Sequence, residues 1–292
     1  TILYALGANL AIAAAKTVAT VYTGSSSMLA EAIHSYADAG NQVLLLWGLK
    51  QAKRPTYPDY PLGWGKAVFF WSFIVAVVLF SIGGLFSLYE GWHKLNETET
   101  LSYPWVAVGI LVFGIAAETV SLRACLQEVN KVRGGKSLWR WFRESRQSEL
   151  VVILGEDIAA LFGLVLALLA ILITVATGNP MWDALGSMSI GVLLIVVAAG
   201  IGNEIKALLI GQSAAPESEA RLRAFLLQQP GVEEIYRLIT YQLGTTFMVA
   251  VKARVRAGSV GELITGMDRA EAATRAGFPE SQWLFFEPDV AD

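Results

Sequence analysis

The chain has 292 residues, of which 54% are hydrophobic and 16% are charged, and its mean hydropathy is +0.51. Soluble domains carry about a quarter charged residues, so this composition is typical of a membrane protein. The net charge of −3 and the lack of a basic stripe with interleaved aromatic residues argue against a nucleic-acid partner. Cys125 is the single cysteine, which excludes an intramolecular disulfide and a metal cluster held by cysteines alone.

Six apolar segments predict membrane-spanning helices, for which about 18 apolar residues are needed. They lie at about 2–22, 28–49, 67–90, 103–125, 150–176 and 182–204. Basic residues cluster after the second and fourth segments: Lys50, Lys53, Arg54, Lys66, Lys131, Arg133, Lys136, Arg140, Arg143 and Arg146. The loops at 23–27 and 177–180 carry no charge. By the positive-inside rule the basic loops and both termini are therefore cytoplasmic.

The N-terminus bears on where the protein is located. The first residue is Thr and no signal peptide is visible, so we expect the natural chain to begin earlier. We predict an integral membrane protein of a bacterial inner (plasma) membrane.

From about residue 211 the pattern changes to that of a small soluble domain. An amphipathic helix, two alternating segments joined as a hairpin, a second helix and a short strand follow one another at 217–231, 233–244, 245–258, 260–277 and 282–290. The order α-β-β-α-β suits a two-layer α+β domain, which is too polar to span a bilayer. We therefore predict two domains: a six-helix transmembrane domain at 1–210 and a cytoplasmic α+β domain at 211–292.

The second predicted helix carries polar residues on one face. Glu31, His34, Asp38 and Asn41 fall within an arc of roughly 80°, since each helical residue advances about 100°. Ionisable groups inside a membrane are costly unless they face the bundle interior and find partners. His34 and Asp38 could present a nitrogen and an oxygen to one borderline metal such as Zn²⁺. They could equally form a hydrogen-bonded pair between helices, and both interpretations stay open for the pair alone.

A second group of charges lies in the fifth predicted helix. Glu156 and Asp157 are followed by a long stretch without charge. If this helix packs beside the second, Asp157 could complete a site with His34 and Asp38. The alternative, that the carboxylates reach water, is weaker because these side chains are short. The sequence therefore favours a shared cation site inside the membrane.

Several motifs resemble one protein family, the cation diffusion facilitators (zinc-transporter family), over essentially the whole chain. They are TGSSSMLAEAIHSYADAGNQ, KRPTYPDYPLGWGK, FFWSFIVAVVLFSIGGLFSLYEGWHKL, ESRQSELVVILGEDIAALFGL, LLIGQSA and FFEPDV. The phrase GEDIAALFGL is most similar to the branch that contains zinc transporter nine. The resemblance implies a homodimeric metal/proton antiporter with a metallochaperone-like cytoplasmic domain that helps to dimerise it.

The resemblance also implies a set of metal ligands, two from the second helix and two from the fifth. His34 and Asp38 occupy the first pair of positions and Asp157 occupies the second position of the other pair. Ile153 stands where many members have histidine, and a neighbouring polar side chain or water could replace that ligand. The predicted metal ligands are His34, Asp38, Asp157, Glu156 and Asn41. The tail has no histidine and no cysteine, so one principal metal site per subunit is expected.

The function predicted from these observations is proton-coupled efflux of a divalent metal from the cytoplasm. Zn²⁺ is the expected cargo, with Co²⁺, Fe²⁺, Mn²⁺ and Ni²⁺ as alternatives, and protons compete with the metal for the same ligand atoms. Glu118, deep in the fourth predicted helix, could relay protons or bond a neighbouring helix. The sequence has no Walker loop, so we expect transport that is not driven by ATP. We also predict that the protein is not an enzyme and holds no resident cofactor. A non-transporting metal-sensing partner subunit and a passive channel are the two alternatives.

Overall fold

The computed structural model describes residues 2–95 and 102–290. The chain divides into two compact units. The helical unit contains the residues up to 48 together with 71–142 and 148–205. The mixed unit contains 49–70, 143–147 and the residues from 206 onward. The loop between the second and third long helices therefore belongs to the same unit as the polar tail.

Seven helices, six of them long, make up most of the first part of the chain that the structure describes. They are α1 (Ile2–Thr23), α2 (Ser26–Ala52), α3 (Ala67–Lys94), α4 (Pro104–Val132), α5 (Leu138–Glu144), α6 (Ser148–Thr177) and α7 (Met181–Ile210). In the described residues four of them, α3, α4, α6 and α7, are long and apolar enough to cross a membrane. The apolar part described for α1 is the shorter Leu10–Thr23, and α2 falls short in apolar character because it carries its polar face. Each predicted span thus corresponds to one long helix, and α5 is an additional short helix within a predicted loop.

The middle of α3 departs from regular α-helix. Residues Leu79–Leu85 form a π-helical segment, in which the amide of Phe86 donates to the carbonyl oxygen of Ser81 five residues earlier. The sequence predicted an uninterrupted α-helix here. Segments of π-helix are rare and are found frequently at functional sites. This one contains Gly83, which lies against the polar face of α2.

The mixed unit is built around a three-stranded sheet. Its elements are α8 (Pro216–Leu227), β1 (Val232–Leu243), β2 (Thr246–Val255), α9 (Val260–Gly277) and β3 (Ser281–Pro288). β2 is the central strand, antiparallel to β1 through a tight turn and parallel to β3 through the crossover helix α9. Alternate β2 residues are buried in the core: Phe247, Val249, Val251 and Ala253. The predicted α-β-β-α-β order is confirmed.

Candidate metal site

The polar face of α2 lies inside the helical unit. The side chains of Glu31 and His34 are fully buried, Asn41 is 1% exposed, and Asp38 keeps 17% of its side-chain surface exposed. His34 Nε2 lies 3.4 Å from Asp38 Oδ2, one helical turn away. The spacing of three and four residues places all four on the side of α2 that the neighbouring helices cover. The buried face predicted from the sequence is therefore present.

Many polar atoms of this face have no hydrogen-bond partner among the described residues. They are Glu31 Oε1, His34 Nδ1, His34 Nε2, Asp38 Oδ1 and Asn41 Oδ1. Buried polar atoms in native proteins are nearly always satisfied, and leaving one unpaired costs free energy. Each of these atoms is of a type that coordinates metal ions. These unpaired atoms of α2 could therefore serve as ligands of a cation, and the surface that they form is called the α2 donor face below.

Helix α6 places Glu156 beside the α2 donor face. Glu156 is 6% exposed, and its Oε1 accepts a hydrogen bond of 2.5 Å from Asn41 Nδ2. The charges of Glu156 and Asp38 are close enough to interact. Two carboxylates, an imidazole and an amide from α2 and α6 thus converge on one region.

Asp157 takes a different direction from the one expected. Its carboxylate accepts from Ser121 Oγ on α4, at 3.4 Å to Oδ1, and it interacts with the charge of Glu118 and with the thiol of Cys125. Successive residues of a helix point about 100° apart, so α6 turns Glu156 and not Asp157 toward α2. The structure places Asp157 beside Ser121 and Glu118 of α4, and its grouping with His34 and Asp38 stays a prediction.

Ile153, where the family resemblance implied a missing ligand, packs in an apolar cluster. This cluster contains Cys125, Val129, Trp141, Val151 and Leu154. The side chain at this position therefore takes part in apolar packing.

The sequence contains a signal for which face of α6 is turned toward α2, and the predicted grouping did not take it into account. Ala159, Ala160 and Gly163 follow Glu156 at three, four and seven residues, and all are buried. Small residues at this spacing mark the face on which helices approach closely. A further site residue was missed altogether: Lys16 of α1 is 1% exposed and bonds Glu31. A lone lysine inside an apolar helix was its signal.

Two glycines shape the surroundings of the α2 donor face. A Cβ atom on Gly83, in the π-helical segment of α3, would lie 3.9 Å from His34 Nδ1 and 3.1 Å from Leu194 Cδ1. A Cβ atom on Gly163 of α6 would collide with Glu31 Oε1. Helix α6 therefore approaches Glu31 more closely than a residue with a side chain would allow, whereas the close neighbour of Gly83 is Leu194 and its contact with His34 is an ordinary one.

The first turn of α2 is fixed by a carboxylate from α7. Asp183 accepts from Ser25 Oγ at 2.7 Å, from the Ser26 amide at 2.6 Å, from Ser26 Oγ at 3.0 Å, and also from Ser27 Oγ. Asp183 is 4% exposed. An acceptor at a helix N-terminus satisfies amides that have no partner within the helix and is favoured by the helix dipole. The serine loop of the sequence thus serves as the attachment of α2 to α7.

Among the residues that the structure describes, no three His, Cys, Asp or Glu side chains are already grouped tightly enough to hold a metal ion. The donor atoms of α2 and α6 lie in one region, but Asn41 and Glu156 are bonded to each other. That hydrogen bond uses Asn41 Nδ2 and Glu156 Oε1, so Asn41 Oδ1 is still without a hydrogen-bond partner among the described residues.

The sequence matches the cation efflux transmembrane domain over residues 2–210. The chain belongs to the cation efflux family. The mitochondrial proton-coupled zinc antiporter SLC30A9 of Xenopus laevis is 35% identical over 242 residues, which is 82% of this chain and 43% of that protein. Metal tolerance protein C4 of Arabidopsis thaliana is 29% identical over 218 residues, 74% of this chain and 48% of that protein.

A bacterial relative of this cation efflux protein is covered more fully. The cation-efflux pump FieF of Serratia proteamaculans is 27% identical over 234 residues, 79% of this chain and 72% of that pump. The chain spans less than half the length of the zinc antiporter and the metal tolerance protein. The family and branch indicated by the sequence motifs are confirmed.

Proposed function

We propose that this cation efflux protein exports Zn²⁺ or a related divalent transition metal from the cytoplasm in exchange for protons. The observation that carries the proposal is the α2 donor face, whose buried nitrogen and oxygen atoms have no hydrogen-bond partner among the described residues. The relatives named as a proton-coupled zinc antiporter and a cation-efflux pump support it.

The proposed ligands are His34 and Asp38 of α2 together with Asn41 and Glu156. A nitrogen ligand combined with carboxylate oxygens suits borderline divalent metals, and Zn²⁺ is commonly bound by four ligands. The imidazole must be neutral and the carboxylates ionised to bind the metal, so protons and the metal compete for the same atoms. Protonation from the outward side would release the ion, and no separate energy source is needed.

Asp157 and Glu118 have a proposed role beside this set. They lie between α6 and α4, where their charges interact and Ser121 donates to Asp157. We assign them to the uptake of protons that accompany the metal. Asp157 as a direct ligand stays a prediction from the family resemblance.

For the whole protein we propose that all six long helices cross the membrane, with both ends of this chain on the cytoplasmic side. The clustered basic residues of the loops after α2 and α4 support this orientation. The mixed unit would lie in the cytoplasm and help to form a homodimer. The bacterial inner membrane remains our proposed location and is supported by the FieF relative, whereas the SLC30A9 relatives are named as mitochondrial.

Proteoliposomes that contain a metal-sensitive dye test the proposed transport. We expect saturable Zn²⁺ uptake that increases with an opposing proton gradient and disappears when the gradient is collapsed. Flux that does not saturate and ignores the gradient would indicate a channel. Zn²⁺ binding without any flux would indicate the metal-sensing partner subunit instead.

A further inference from the structure

Lys16 lies inside the helical unit beside the α2 donor face. Its side chain is 1% exposed, although lysine is among the residues least often buried. The Nζ atom donates to Glu31 Oε2 at 3.1 Å and to Ser35 Oγ at 2.7 Å. An ammonium group from α1 is thus held by two residues of α2, one turn apart.

Helix α6 leaves space for this ion pair, and α4 passes beside it. A Cβ atom on Gly114 of α4 would lie 3.9 Å from Lys16 Cε, and a Cβ atom on Gly163 of α6 would collide with Glu31 Oε1. Four helices therefore meet at the pair, and the two of them that contribute no charge present glycine there. The arrangement indicates a built site rather than an accidental contact.

Stability alone does not account for such a pair. Removing two charges from water costs as much as or more than their attraction returns, and hydrophobic replacements are often equally stable. Inside a membrane the cost is higher still, which is why intramembrane charges usually have a functional role. A reason for Lys16 must therefore be sought in the neighbouring site.

The charge of Lys16 acts on several groups of that site. Lys16 is bonded to Glu31, and we expect its charge to act also on His34, Asp38 and Glu118. Glu31 directly precedes the proposed ligands on the same face, and its Oε1 has no partner among the described residues. Without Lys16, Glu31 would offer an additional free carboxylate to a cation bound near His34.

We propose that Lys16 is a resident counter-cation that cancels the charge of Glu31, so that the site presents only Asp38 and Glu156 to the metal. The inference rests on the proposed function. Two opposing carboxylates neutralise one divalent ion, whereas a third would hold it too tightly for release. A third carboxylate would also favour harder cations such as Mn²⁺ over Zn²⁺, because carboxylate oxygens suit harder metals. Lys16 is therefore a residue that sets affinity and specificity without binding the metal itself.

The test uses the full chain in detergent and in proteoliposomes, with Zn²⁺ and Mn²⁺ as probes. Lys16→Met should bind Zn²⁺ about tenfold more tightly and transport it with a lower KM and a lower maximal rate. Glu31→Gln removes the charge that balances Lys16 but leaves the bond to Ser35, and it should bind Zn²⁺ about tenfold more weakly. Lys16→Arg, which keeps the charge, should retain the wild-type affinity. Lys131→Met is the matched control, because it removes a lysine from an exposed pair with Glu128.

The double variant Lys16→Met/Glu31→Gln decides the interpretation. It removes both charges, and its Zn²⁺ affinity and its Zn²⁺/Mn²⁺ preference should return close to the wild type. A purely structural role would move the affinities of both single variants in the same direction, which would overturn the proposal. Should Lys16→Met fail to fold, a folded double variant with altered affinity would overturn it equally. Equilibrium dialysis tests the role of Lys16 separately from the proposed transport function. If the wild type binds Zn²⁺ without flux, transport is refuted, but the opposite affinity shifts of the two single variants can still be measured.

Discussion

Glu156 and Asp157 are neighbours of like charge with different hydrogen-bond partners, and we propose different roles for them. Glu156→Gln keeps the shape of the side chain. Its amide oxygen can still accept from Asn41 Nδ2, which lies 2.5 Å from Glu156 Oε1 in the structure. It removes one of the two charges proposed to balance the metal. Substituting partners that only orient metal ligands already costs about 10–100-fold in affinity, so loss of a ligand charge should exceed about 100-fold. That factor corresponds to about 2.7 kcal/mol of binding free energy.

Asp157→Asn is the matched comparison, one residue away on the same helix. Because Asp157 bonds Ser121 on α4, its amide should change Zn²⁺ affinity by less than about tenfold and act mainly on proton coupling. The assay is Zn²⁺ binding by equilibrium dialysis together with proton-driven flux, each at fixed pH. Normal affinity in Glu156→Gln combined with lost affinity in Asp157→Asn would refute the direction of α6 seen in the structure. It would restore the grouping that the sequence predicted.

Three further substitutions probe the surroundings of the site. Asp38→Asn should reduce Zn²⁺ flux to background while expression and folding persist, and retained flux with normal affinity would show that α2 supplies no essential carboxylate. Ile153→His should leave the Zn²⁺/Mn²⁺ preference in competitive flux unchanged, because this residue packs in the apolar cluster around Trp141; a clear gain in Zn²⁺ preference would contradict that placement. Gly163→Ala should lose about 1–3 kcal/mol of stability in thermal unfolding, because its methyl group would meet Glu31 Oε1 and the bond from Lys16 restrains that side chain. Gly200→Ala, which meets open space, should be neutral or better, and equal melting temperatures would refute the close approach.

Hydropathy and periodicity were sufficient for the outline of the fold. Uninterrupted apolar segments indicated the long helices, and alternation indicated the hairpin β1–β2, because both patterns depend only on local sequence. The face of α2 followed from spacing for the same reason. These features are determined by which residues must be kept from water or lipid, which a single sequence records directly.

The features that the sequence did not reveal depend on contacts between helices. Whether Glu156 or Asp157 faces α2 is a rotation of about 100° that the packing of Ala159 and Gly163 decides. The π-helical segment of α3 and the partner of Lys16 likewise result from how neighbouring helices meet. Composition shows that a lysine lies in an apolar helix, but only the assembled bundle shows which carboxylate it neutralises.

The attachment of α2 to α7 constrains how the protein can change shape. Four hydrogen bonds join Asp183 to the serine turn, and bonds to a charged acceptor contribute about 1.5–3 kcal/mol each. Separating the two helices at the N-terminal end of α2 would break all four bonds, whereas tilting them together would break none. Helices α2 and α7 should therefore move as one rigid body when the protein changes conformation. The contacts that change should be those between α2 and its other neighbouring helices.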